Sequence, residues 1–144
     1  MEVLVSMQQQ EVTHEFFMPL KIPSVTHQEK QVHVVKGKPM FYEPTELKAA
    51  RAKYMDNLAQ HLPDKKFNGK VRLMIKWLFP LKGKHMNGEY KDTKPDLDNS
   101  VKLLQDCMTK LGFWKDDRYV VSLITEKFWS DVPGIYINIE EVEE

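Results

Sequence analysis

Asp96, Asp98, Asp116 and Asp117 stand at the two ends of the stretch KPDLDNSVKLLQDCMTKLGFWKDD, which runs from Lys94 to Asp117 and otherwise reads as one amphipathic helix. Carboxylates brought together repel one another unless a cation or a proton intervenes. An oxygen-only donor set selects hard cations, and a few carboxylates completed by water and substrate phosphate describe Mg²⁺, with Mn²⁺ as its chemical substitute, better than zinc. In extended chain before a helix, residues two apart point to one side, so Asp96 and Asp98 can face a single point. Asp98 also suits the helix N-cap. Asp98, Lys102 and Asp106 follow at i, i+4 and i+8, a polar face set against the Val101, Leu104, Met108 and Leu111 stripe. Lys102, one turn from Asp98, is placed to neutralise charge that builds on a phosphate under attack. Asp116 and Asp117 join the same pocket if the strand that follows returns beside the helix. Together these residues spell a metal-assisted phosphodiester hydrolase.

Plainer readings exist for each group. Asp98 is a favoured cap whatever the function, and Asp116-Asp117 also suits an exposed turn. DLDNS is not a calcium loop, because Val101 stands where glycine is needed and Cys107 where glutamate is needed. His14, His27, His33, His61 and His85 lack a second histidine or a cysteine at ligand spacing. Trp77, Trp114 and Trp129 read as core residues rather than base-stacking platforms.

The elements around the motif must present these groups. Glu15 to Lys21 (EFFMPLK) suits a strand, and KQVHVVKGKPMFY reads as strand, turn at Gly37-Lys38-Pro39, and strand. A helix with Thr45 as N-cap then places Leu47, Tyr54, Leu58 and Leu62 on one side and stops at Pro63. GKVRLMIKWLFP alternates Val71, Leu73, Ile75, Trp77 and Phe79 with Lys70, Arg72 and Lys76, a half-exposed strand with a basic outer face. LKGKHMNGEYKDTKP is a long flexible loop leading into the acidic motif. The second helix ends at Gly112, and YVVSLITEKFW and GIYINIEEV form two more strands. The fold class is α/β of the α+β type: a single mixed sheet with two main helices packed on it, in one domain over residues 1–144.

Hydrophobic content of 42% with 29% charged residues belongs to a globular chain, and no apolar run is long enough to span a bilayer. The start MEVLVSMQQQEV has no basic segment of the secretory kind, and Cys107 is the sole cysteine. That rules out an internal disulfide and a cysteine zinc site, and it places the chain in the cytoplasm, with no membrane partner. Net charge is zero, which argues against indiscriminate coating of nucleic acid. From Asp64 to Pro95, however, nine bases face three acids, 9 − 3 = +6. Lys70, Arg72, Lys76, Lys82, Lys84, His85, Lys91 and Lys94 are the candidate DNA contacts, a basic tract leading straight into the carboxylates.

The pattern D-x-D-N-x-x-K at Asp96 to Lys102, an Asp eight residues after Asp98, and G-x-W-x-D-D at Gly112 to Asp117 closely resembles the RusA family of Holliday junction resolvases. The resemblance implies an endodeoxyribonuclease of a phage or prophage in which Asp96, Asp98 and Asp117 bind Mg²⁺, Asp116 stands beside them and Lys102 assists the chemistry. It also implies a homodimer, since a two-fold symmetric four-way junction must be nicked in two opposed strands. The rival reading is a non-catalytic binder of branched DNA. A nucleotide-dependent transferase is disfavoured by the lack of a glycine-rich phosphate cradle.

Overall fold

The computed structural model describes residues 12–25, 31–35 and 37–143. The N-terminal stretch and His27 lie outside the described residues, as does the side chain of His33. The elements follow the order β1 (Thr13–Pro19), β2 (Gln31–Val35), β3 (Lys38–Tyr42), α1 (Thr45–Leu58), a 3-10 turn (Ala59–His61), β4 (Val71–Pro80), α2 (Leu97–Leu111), a second 3-10 turn (Asp117–Tyr119), β5 (Val120–Ser130) and β6 (Gly134–Glu141).

Strand β4 sets the core. Its alternation puts Val71, Leu73, Ile75, Trp77 and Phe79 on the buried face, each at most 8% exposed. β6 pairs with it antiparallel and adds Ile135, Ile137 and Ile139, all fully buried. Onto this face pack Ala50, Tyr54 and Leu58 of α1 and Val101, Leu104 and Met108 of α2. Burial of each such aliphatic side chain contributes about 1.5–3 kcal/mol. The sheet has the order β1-β6-β4-β5, and β2-β3 forms a separate two-stranded ribbon. The mixed sheet with two helices expected from the sequence is therefore present.

β5 runs parallel to β4, with Leu73 opposite Leu123 and Trp77 opposite Lys127. A parallel neighbour demands a crossover, and α2 is that crossover. The whole acidic motif thus lies in one β4-α2-β5 unit. Trp77 Nε1 donates to Thr125 Oγ1 at 2.8 Å, fastening the two strands through their side chains. β5 is the sheet's edge, and Val121, Leu123 and Ile124 along it are exposed.

Helix boundaries follow local chemistry. Pro44, rather than Thr45, occupies the N-cap of α1, and Thr45 is the first helical residue. The helix tightens into the Ala59–His61 turn before Pro63. Gly112 ends α2 as expected, at φ 87 and ψ 27, with its N–H donating to the Met108 and Thr109 carbonyls. That left-handed conformation is cheap only without a Cβ. At Gly134 space is the constraint: a Cβ would stand 2.4 Å from the Met18 carbonyl oxygen of β1.

Candidate active site

Residues 81–90 are exposed, but the segment expected to be a flexible loop is laced onto β5. Gly88 N donates to Trp129 O at 2.8 Å, Trp129 N to Glu89 O at 2.8 Å and Lys91 N to Lys127 O at 3.0 Å. Tyr90 stacks on Phe128 at 4.8 Å and His85 on Trp129 at 4.4 Å. The ring contacts and ladder bonds give this stretch a defined path into the turn Thr93–Pro95, which hands over to Asp96.

Helix α2 begins at Leu97, so Asp96 is the N-cap, in extended conformation (φ −70, ψ 146) and without a side-chain cap bond. Asp98 falls in the first helical turn. This corrects the assignment of Asp98 as cap and removes the two-residue alternation as the reason for their pairing, because the chain is already helical at Leu97. Both carboxylates are exposed at the end of the helix whose dipole favours negative charge.

Asp98, Lys102, Asp106 and Asp117 line one cleft of 460 Å³, closed on its far side by Leu123 and Thr125 of β5. Asp106 and Asp117 also border an adjoining cleft of 340 Å³, together with Arg51, Lys110, Lys115 and Asp116. Asp96 stands outside both. At 1.5 Å per residue, Asp98 and Asp106 are separated by about 12 Å along the helix, so the cleft is a trough with Asp98 toward one end and Asp106 with Asp117 toward the other. Among the described residues no three of the Asp, Glu, His and Cys side chains are grouped to hold a metal ion. The donor chemistry nonetheless fits Mg²⁺, which keeps several waters and asks the protein for only one or two carboxylates; Asp98, Asp106 and Asp117 line the trough.

Asp116 caps the short turn before β5: the Arg118 N–H donates to its Oδ1 at 2.9 Å and holds its carboxyl below the ordinary range. Asp106 shows in the sequence as the third member of the helix's polar face and as the Asp eight residues after Asp98 in the family pattern, but its position at the junction of the two clefts was missed. Arg51 was missed outright. It is fixed by Glu43 at 2.8 Å and reaches the Asp116 side only because α1 packs on α2, which no local pattern announces.

The basic tract is divided between two places. Arg72 and Lys76 lie on the sheet face turned away from α2, where Arg72 meets Glu140 at 3.6 Å and Lys76 sits over the Tyr136 ring at 5.7 Å. Lys70 precedes that strand, and its carbonyl accepts from Val142 N. Lys84 is exposed, and His85 is paired with Glu89 at 2.9 Å. Lys82 and Lys94, with Lys21 and Lys91, line a cleft of 760 Å³ that carries no acid among the described residues and has Phe79 and Trp129 in its wall. Lys91, grouped in the sequence with surface bases, is only 8% exposed, and its ammonium is engaged inside the protein.

A mixed sheet with two helices on one face, carboxylates at both ends of the second helix and a lysine between them forms the candidate site. Residues 21–140 match the family described as Endodeoxyribonuclease RusA, and the chain belongs to that family. Among individual proteins, it is 35% identical over 130 residues to the crossover junction endodeoxyribonuclease rusA of Lactococcus phage r1t, an alignment covering 89% of this chain and 98% of that protein. It is 34% identical over 95 residues to the uncharacterized protein YqaN of Bacillus subtilis (strain 168), covering 58% of this chain and 66% of that one.

Proposed function

We propose that the chain is a Mg²⁺-dependent endonuclease of a phage or prophage that resolves Holliday junctions and related branched DNA by paired symmetric nicks. It acts as one domain over residues 1–144, as a homodimer in the cytoplasm. The observation that supports this reading most directly is the trough itself, where Asp98, Lys102 and Asp117 from separate parts of the chain face one space. No described helix is long and apolar enough to cross a membrane.

Asp96, Asp98, Asp116 and Asp117 are the oxygen donors that would hold Mg²⁺, or Mn²⁺ in its place. When bound, the cation supplies Lewis-acid polarisation of the phosphate and an acidified water. The ammonium of Lys102 faces the same trough and offsets the charge that grows on the non-bridging phosphate oxygens. Lys82, Lys84 and Lys94 attract the DNA backbone toward the turn that carries Asp96. A homodimer matches the two-fold symmetry of the junction, which must be nicked in two opposed strands.

The test is a synthetic four-way junction with a mobile core beside a matched linear duplex, with Mg²⁺ or EDTA, using the wild-type chain and Asp98→Asn. Symmetric nicks in the junction alone, dependent on Mg²⁺ and lost in the variant, are expected. Asp98→Asn should leave thermal stability near wild type, since relief of repulsion from the other acids offsets the lost helix-dipole interaction. Tight junction binding without cleavage in every condition, or nicking indifferent to Asp98→Asn, overturns the proposal.

A further inference from the structure

Two lysines converge on the backbone that delivers Asp96. Lys91 Nζ donates to the Lys94 carbonyl at 2.6 Å and to Thr93 Oγ1. Lys127 Nζ donates to the carbonyls of Thr93 at 2.5 Å and Pro95 at 2.8 Å. The carbonyls of residues 93, 94 and 95, the three immediately before Asp96, are therefore all held by ammonium groups. The two lysines are themselves tied through the bond from Lys91 N to Lys127 O. Lys91 stands 4.3 Å from the centre of the Trp129 ring and 5.4 Å from that of Phe79.

Burying a lysine is costly unless its charge is met, and here it is met by carbonyl and hydroxyl oxygens and aromatic faces. Burial and the neighbouring Lys127 both push the Lys91 ammonium below its ordinary range, with Lys82 adding to the effect and Asp92 opposing it. A turn needing only to connect β4 to α2 has no use for so expensive an anchor. Resting on the reading of Asp96 as a metal-holding carboxylate, we infer that Lys91 and Lys127 form a clamp of positioning residues that fixes the Thr93–Pro95 turn and with it the Asp96 carboxylate. Neither lysine touches substrate in this role.

Groups that orient metal ligands from behind typically cost about 10–100-fold in metal affinity or activity when removed. Lys91→Met and Lys127→Met keep the aliphatic stems and remove the donors. The measurements are Mn²⁺ affinity by electron paramagnetic resonance, hydrogen exchange of the amides of residues 100–102, the first to donate to helix carbonyls from residue 96 onward, and junction binding in EDTA. Expected are Mn²⁺ binding weakened about 10–100-fold, faster exchange at those amides, wild-type junction binding in Lys127→Met, and recovery in Lys127→Arg. Unchanged Mn²⁺ affinity and exchange in folded Lys127→Met overturns the clamp. So does a fall in junction binding in EDTA that matches the metal loss, which would make these lysines DNA contacts. Lys127 is half-buried, so its variant decides the matter even if Lys91→Met fails to fold. A wild-type chain that nicks no junction, or binds no Mn²⁺, defeats the proposed function instead, while the exchange measurement still judges the clamp.

Discussion

The turn before α2 separates two clefts of opposite character. On one side Asp98, Asp106 and Asp117 line a trough in which Lys102 is the only cation. On the other, Lys21, Lys82 and Lys94 line a larger cleft in which no described residue is a carboxylate. Asp96 alone stands between Pro95 on the basic side and Leu97 on the acidic side. A polyanion cannot be recruited by acids, and lysines alone cannot hold the cation that phosphodiester cleavage needs. Under the proposed function each cleft has the one task its charge permits, and a net charge of zero for the whole chain conceals the separation.

This division of labour can be broken from the acidic side first. Lys102→Met should lower the single-turnover nicking rate by about 10²–10³-fold, the usual cost of one donor to transition-state charge, while junction affinity in EDTA stays near wild type. An equal loss of affinity and rate would move Lys102 to the binding side of the comparison. The basic side is probed by Lys82→Gln combined with Lys94→Gln. If each lysine neutralises one phosphate, the slope of log affinity against log salt should become shallower by about 1.8, because each contact contributes about 0.9. Saturating single-turnover rates should not change. An unaltered slope would show that the DNA runs elsewhere. The smallest effect is expected from Asp116→Asn, which weakens the acceptor for the Arg118 N–H. The folded-state carboxyl lies below its reference value of 3.8, so its contribution is present above that value and disappears as pH falls through the folded-state value. The variant should therefore unfold at slightly lower denaturant than wild type at pH 6, with the gap closing below pH 4. A gap that persists in acid would assign the difference to something other than the carboxylate.

Much of the frame was legible because it follows simple periods. The two-residue alternation of Val71 to Phe79 and the apolar stripe of α2 each announced one buried face, and Gly112 announced the helix end. The acidic motif was legible as chemistry but not as geometry. Aspartate is a good cap at either Asp96 or Asp98, and only the backbone at Leu97 decides between them. Lys91 was misjudged for a different reason. Its burial depends on Phe79 and Trp129, which come from neighbouring strands that pair only in the finished sheet. Arg51 likewise approaches Asp116 through helix packing, which local sequence does not encode. Contacts set by the register of distant strands were the part that spacing could not supply.

The strand order carries a consequence for how the chain is made. β6 is the last element in the sequence, yet it lies between β1 and β4 in the sheet. Thr13 pairs with Glu140 and Pro19 with Gly134, almost the whole chain apart. During synthesis the N-terminal strand therefore emerges without its neighbour, and β4 waits with one edge open until residues 134–141 leave the ribosome. Such long-range pairing is slow and late in folding. A nascent chain lacks the central strand that backs the β4-α2-β5 unit, so a polypeptide released early carries the acidic motif without the sheet that supports it.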